Sequence, residues 1–185
     1  FLFFPALDHF LRALDEAPHD EIAGPQAQYQ ALFGPSTELR PVPVHEAGYL
    51  REAGDASGLM LASIEQHYSS AGVSVAAAGV RMPDHISTEL EFISLLCGRE
   101  ADAWEAGDLK AARRSQDRQR RFMEKHLSHW LPALCNALRT REGGLFALAA
   151  CAARSMVAHD MDFLAEFRGR LAGATAPAGG EAQGA

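Results

Sequence analysis

Basic side chains are in short supply. The 185 residues hold 17 Lys and Arg against 24 Asp and Glu, a formal charge of -7, which argues against a nucleic-acid partner because phosphate binding rests on clustered cations. The run Arg113, Arg114, Arg118, Arg120 and Arg121 is the local exception. Gln and Asp interrupt it and it leads into an amphipathic segment, so it reads as a solvated helix face. Long apolar runs are also missing. The longest, Leu145 to Ala153, is Ala-rich and far below the roughly 20 residues a membrane-spanning helix needs, so no membrane insertion is expected. Cysteine is scarce: Cys97, Cys135 and Cys151 are odd in number, widely spaced and set among apolar neighbours, the pattern of buried free thiols in a reducing compartment, hence the cytoplasm. Phe1 to Phe4 has no basic stretch before it and meets Pro5 at once, unlike a signal peptide. Those residues are expected to end a helix whose earlier turns are missing.

Catalytic signatures are lacking too. There is no phosphate loop, no G-x-S-x-G elbow and no Cys, Asp or His spacing of a structural metal site. No catalytic residue, cofactor or metal is therefore assigned. His126 and His129, three apart on a helix, with His85 joining them in space, are the best metal candidates, but their aromatic and Leu neighbours suit core or rim histidines better.

What is present is helical period. No stretch sustains the alternation of a half-buried strand, so the chain is expected to be all-α, one helical domain over 1–168 with two sub-lobes (about 1–80 and 83–168) joined by a hinge loop near Pro83–His85. A disordered tail is expected over 169–185, where Gly and Ala dominate. Helices are expected over Ala6 to Ala17, Gln26 to Phe33 and Leu59 to Ala71, the last ended by Gly72 in a left-handed conformation. Ser36 to Gly48 and Val73 to Val80 should be connectors. Asp108 should cap a long helix that Pro132 kinks or splits. After Gly143 and Gly144, one helix should carry Leu145 to Met156 and a further one Phe163 to Phe167.

The stretch Met82 to Phe92, MPDHISTELEF, is the most informative. Pro83 suits a first helical turn and Asp84 can accept from its free N–H groups. Ile86, Leu90, Ile93, Cys97, Ala101 and Trp104 then recur at steps of three and four, one apolar stripe facing a core. Glu89, Glu91, Glu100, Asp102 and Glu105 fall largely off it, a solvated acidic flank on the plain reading and a seat for a basic ligand on the sharper one. Glu89 points nearest to it, and burial would raise its pKa.

PDHISTELEF together with HLSHWLPALCNAL (126–138) resembles the TorD/DmsD family of chaperones, and the order of LDHFLRAL, YQALFG, VHEAGYL and SIEQHYSSAG ahead of them matches that family's order of elements. His45 and Ala47 depart from it, standing where an aromatic ring and Ser are usual. The resemblance implies a cytoplasmic chaperone without covalent chemistry, binding the twin-arginine signal peptide of the apo form of a molybdopterin oxidoreductase catalytic subunit, as a monomer or a domain-swapped homodimer. It gathers peptide recognition around Pro83, Asp84 and His85, with Glu89, Glu46, Tyr49 and Phe33. By composition alone Tyr49 and Phe33 are core residues. A NarJ-like assembly chaperone for a non-exported subunit is the alternative, and a metal or haem protein using His85, His126 and His129 is the rival from another class.

Overall fold

The computed structural model describes residues 5–16, 23–35, 39–50, 55–74 and 82–174. The calls on Phe1–Phe4 and on most of the Val73 to Val80 connector fall outside them. Described residues form α1 (Pro5–Asp15), α2 (Ala23–Phe33), a 3-10 turn (Glu46–Tyr49), α3 (Asp55–Ser70), α4 (Ile86–Glu105), α5 (Leu109–Phe122), a π-turn (Met123–Leu127), α6 (Ser128–Thr140) and α7 (Gly144–Ala174). The protein is all-α and a single domain. Its one β feature among these residues is an isolated antiparallel bridge between His45 and His85.

Local signals set most helix ends. Asp108 caps α5, its Oδ1 accepting from Ala111 N at 2.8 Å. Gly72 follows α3 with a φ of 70°, a left-handed position where a side chain would be strained. The helices pack chiefly as α4 on α5, α6 on α7 and α1 on α7. Tyr68 of α3, Phe92 of α4 and Phe122 of α5 stack their rings within 4.7 to 5.8 Å of one another, and Leu96, Met123, Leu127, Trp130 and Leu131 complete the core.

Tertiary packing overrides the sequence pattern in several places. On α4 the buried side chains are Thr88, Glu89, Phe92, Ile93, Leu96 and Ala103, a face turned from the expected stripe so that the Phe92 ring reaches the aromatic core. Ile86 and Leu90 are left half-buried, and Cys97 and Trp104 are exposed. The helix starts at Ile86, with His85 rather than Asp84 as its cap. Pro132 stays inside α6, and the irregularity lies upstream in the π-turn, which carries His126. Residues after Gly144 form one helix, not two, and it continues past Gly169 to Ala174; the rest of the tail expected over 169–185 lies outside the described residues.

Cys135 and Cys151 are joined in a disulfide. This overturns the expectation of buried free thiols, which relied on chain spacing and could not see that α6 and α7 run side by side. Cys97 alone is free. The basic run behaves as expected: Arg113, Arg114 and Arg121 are exposed, Arg120 pairs with Glu124 at 2.6 Å and Arg118 donates to the Ser70 carbonyl.

Candidate functional site: a polar seat beside an apolar groove

Two turns distant in sequence are tied together by their backbones. Glu46 N donates to the Asp84 carbonyl at 3.0 Å and Ile86 N to that of Val44 at 2.9 Å, flanking the His45–His85 bridge. The Asp84 side chain reinforces the tie: Oδ2 accepts from Ala47 N at 3.1 Å and lies 3.6 Å from His45 Nδ1. Gly48 is required where the turn closes, since a Cβ there would meet the Pro43 side chain at 2.3 Å.

Beneath these turns lies a buried polar seat. His126 Nδ1 is 2.9 Å from Glu46 Oε2, and its Nε2 is 3.1 Å from Ser63 Oγ. Trp130 Nε1 donates to Glu89 Oε2 at 3.2 Å while the Tyr49 ring stacks on the indole at 5.6 Å. Glu89 is fully buried. Burial first, then the neighbouring Glu46, pushes its carboxyl up to about 9, so it is protonated at neutral pH. Tyr68 donates its hydroxyl to the Pro83 carbonyl at 2.7 Å, and Tyr49, pushed up to about 12 by burial, donates to that of Pro43 at 2.8 Å. Burial, with His126 and nearby cations, lowers His67 to about 4, leaving it neutral.

His85 sits at the edge of the seat. Its Nδ1 accepts from Ser87 N at 3.2 Å and faces Ser87 Oγ at 2.8 Å, a geometry that needs the neutral ring. Burial and the charge of His45 lower its pKa, against the opposing pull of Asp84, and the positive end of α4 works in the same sense.

Next to the seat, an apolar groove of about 260 Å³ runs between α2, α4, α6 and α7, lined among others by Phe33, Val44, Ile86, Leu90, Leu134 and Phe146. Phe33 packs edge-on against Phe146 at 5.4 Å, and Tyr29 touches both rings. A second cavity of about 240 Å³ lies between α6 and α7 around Pro132 and Met161, and none of the residues proposed for peptide recognition lines it.

The structure thus brings Glu46, Tyr49, Pro83, Asp84, His85 and Glu89 together and places Phe33 apart from them, in the groove. Glu46, Asp84 and Glu89 are buried and bonded internally; Tyr49, Pro83, His85 and Phe33 are half-buried. Of the metal candidates, His126 is taken up by Glu46 and Ser63 and His129 is exposed. Among the described residues no cluster of His, Cys, Asp and Glu could hold a metal ion. Sequence reasoning missed Ser63 and Trp130 as members of the seat. Trp130, a large ring with one donor that needs a partner when buried, offered a signal; Ser63 offered none.

Residues 4–136 match the family model described as nitrate reductase delta subunit. The chain belongs to that family, the NarJ/TorD-like chaperones. It is also 29% identical over 157 residues to the perchlorate reductase assembly chaperone protein of Dechloromonas aromatica (strain RCB), an alignment covering 81% of this chain and 68% of the relative. No solved structure matches significantly. The family match takes in the seat and ends inside α6, so α7 and its wall of the groove lie beyond it.

Proposed function

We propose that this NarJ/TorD-like chaperone acts in the cytoplasm, without catalysing a covalent step, by holding the N-terminal segment of the apo form of a molybdenum-containing oxidoreductase subunit. In an exported client that segment is a twin-arginine signal peptide, withheld until the cofactor is inserted. The observation that carries this reading is the open apolar groove beside the Pro83–His85 turn.

Micromolar binding needs about 8 kcal/mol. An exposed ion pair contributes only about 0 to 1 kcal/mol, whereas burying about 300 Å² of apolar surface at about 25 cal/mol per Å² contributes about 7 kcal/mol before ordering costs. The apolar part of the client therefore carries the affinity, and the polar groups around Pro83, Asp84, His85, Glu46 and Glu89 tune selection, with Tyr49 and Phe33 as ring contacts. The buried carboxylates reach a guanidinium only if the 45–49 and 83–86 turns part, which gives the hinge its role. The family match to nitrate reductase delta subunits supports a second reading, in which the client's N-terminus is never exported.

Calorimetry with a synthetic peptide bearing paired arginines and an apolar segment tests the first reading. Replacing the apolar segment by Ser and Gly should abolish binding, and changing both arginines to Lys should weaken it modestly. Ala153→Glu, a charge in the groove wall, should cost at least about tenfold in affinity, or about 1.4 kcal/mol. The reverse order of peptide effects, with Ala153→Glu silent, overturns the groove as the binding surface.

A further inference from the structure

The wall of the groove formed by α6 and α7 is cross-linked. Cys135 of α6 is bonded to Cys151 of α7, and the chain neighbours of these cysteines, Leu134 and Ala150, both line the groove. Cys135 is 1% exposed and Cys151 half-buried, so Cys135 is sealed in the core and Cys151 is the more accessible end of the bridge. Cys97 does not compete. Its sulfur lies 3.5 Å from Gln119 Oε1, and burial, followed by Asp160 and Glu100, pushes its thiol up to about 11, leaving little nucleophilic thiolate at neutral pH.

We propose that the Cys135–Cys151 pair is a thiol–disulfide switch that sets the shape of the apolar groove. Oxidised, it pins α6 to α7 and presents the groove ready-formed; reduced, it frees the two helices to shift, and the hold on an apolar segment weakens. This rests on the proposed function for its consequence, client release, but not for the change in the groove. In a reducing compartment such bridges are uncommon and, where present, redox-responsive or catalytic. Cys151 lies beyond the family-matched residues, which makes the switch a property of this chain rather than one read from the family.

The chemistry needs only a dithiol and its disulfide. One thiolate of the dithiol attacks Cys151 Sγ, the S–S bond to Cys135 breaks, and the Cys135 thiolate leaves with the electron pair and takes a proton. The second thiol of the reductant then attacks the mixed disulfide and expels Cys151. The reductant ends as a cyclic disulfide, two electrons oxidised, and the protein gains two thiols. An external disulfide reverses the sequence.

The test counts thiols and reads the groove by two probes. Acid quenching followed by alkylation in denaturant and mass spectrometry should find one free thiol after treatment with oxidised glutathione and two more after dithiothreitol. Peptide affinity should fall at least about threefold on reduction, because the reduced walls must be ordered on binding. A naphthalene sulfonate dye should change its fluorescence in the same step. The Cys135→Ala/Cys151→Ala variant should behave as the reduced protein under both conditions, and Cys97→Ala should respond like the parent. A pair that stays reduced in oxidised glutathione overturns the switch, as does a dye response and peptide affinity indifferent to redox state. Peptide that binds equally in both states leaves the proposed function standing and sinks the switch. Peptide that binds in neither state, with a dye response that still follows redox, sinks the proposed function and supports the switch.

Discussion

The polar seat and the apolar groove share a border at Val44 and Ile86 and differ in almost every physical respect. In the seat, Glu46, Asp84, Glu89 and His126 are buried yet bonded to fixed partners; in the groove, Phe33, Ile86 and Leu90 are half-exposed and aliphatic or aromatic. A buried polar network is costly to disturb and specifies one geometry, whereas an open apolar wall tolerates varied side chains and rewards any apolar segment that covers it. Under the proposed function the two do different work: the seat positions the two turns, and the groove would supply affinity. Variants that separate stability from binding can break this division.

The largest effect is expected in the seat. His126→Ala removes the partner of the 5% exposed Glu46 and strips contacts from Phe122 and His67, whose rings lie 5.1 and 5.5 Å away. Leaving a buried acceptor without its partner costs about 1 to 3 kcal/mol, to which the lost ring packing adds, and urea unfolding should show a loss at the upper end of that range or beyond it. A loss below about 1 kcal/mol would mean that the pair does not hold the turns.

Glu89→Gln sharpens the comparison through pH. Below about 4.5 the carboxyl is protonated in both folded and unfolded chains. Between about 4.5 and about 9 the unfolded chain gives up the proton while the folded protein keeps it, so the parent loses stability as pH rises. Glutamine has no proton to lose. Relative to the parent, the variant should therefore gain about 1 kcal/mol or more between pH 5 and pH 8. Parallel stability curves would show that Glu89 is ionised in the fold.

The same division explains what the sequence revealed. Features set by neighbours in the chain were legible: the helical class, the Asp108 cap and the left-handed Gly72. The grouping of Glu46 and Tyr49 with Pro83, Asp84, His85 and Glu89 was legible only through the family resemblance, because the turns they occupy are far apart in sequence. The seat's pairing of Glu46 with His126 was not legible at all, since it spans 80 residues and depends on where the π-turn that carries His126 meets the 45–49 turn. The α4 stripe misled because Ile86 and Leu90 are strongly apolar by type but line the groove rather than the core. Glu89 was grouped with the acidic flank although it points nearest to the stripe, because period alone cannot weigh a carboxyl held by an indole. The disulfide was hidden for a related reason. A separation of 16 residues places two cysteines together only when an antiparallel turn lies between them.

The smallest effect, and the one that tests the border itself, is expected at Asp84. Its carboxyl does not cap α4; it accepts from Ala47 N and approaches His45. Asparagine keeps an oxygen where Ala47 needs an acceptor, so Asp84→Asn should stay within about 0.5 kcal/mol of the parent. Alanine leaves the part-buried Ala47 N–H without a partner, at a cost of about 1 to 3 kcal/mol. If the carboxyl only ties the turns, peptide affinity should follow that ranking: near parental for Asp84→Asn and lowered for Asp84→Ala in step with its stability. If the turns part on binding and the carboxyl meets a guanidinium, Asp84→Asn should lose affinity while keeping its melting temperature. Since the seat as it stands encloses Asp84 at 3% exposure, the first outcome is expected for a peptide whose arginines are replaced by Lys. The second is expected only for the twin-arginine peptide. Equal losses with both peptides would mean that Asp84 acts on the groove through the shared turn, and the border between the two regions would have to be drawn elsewhere.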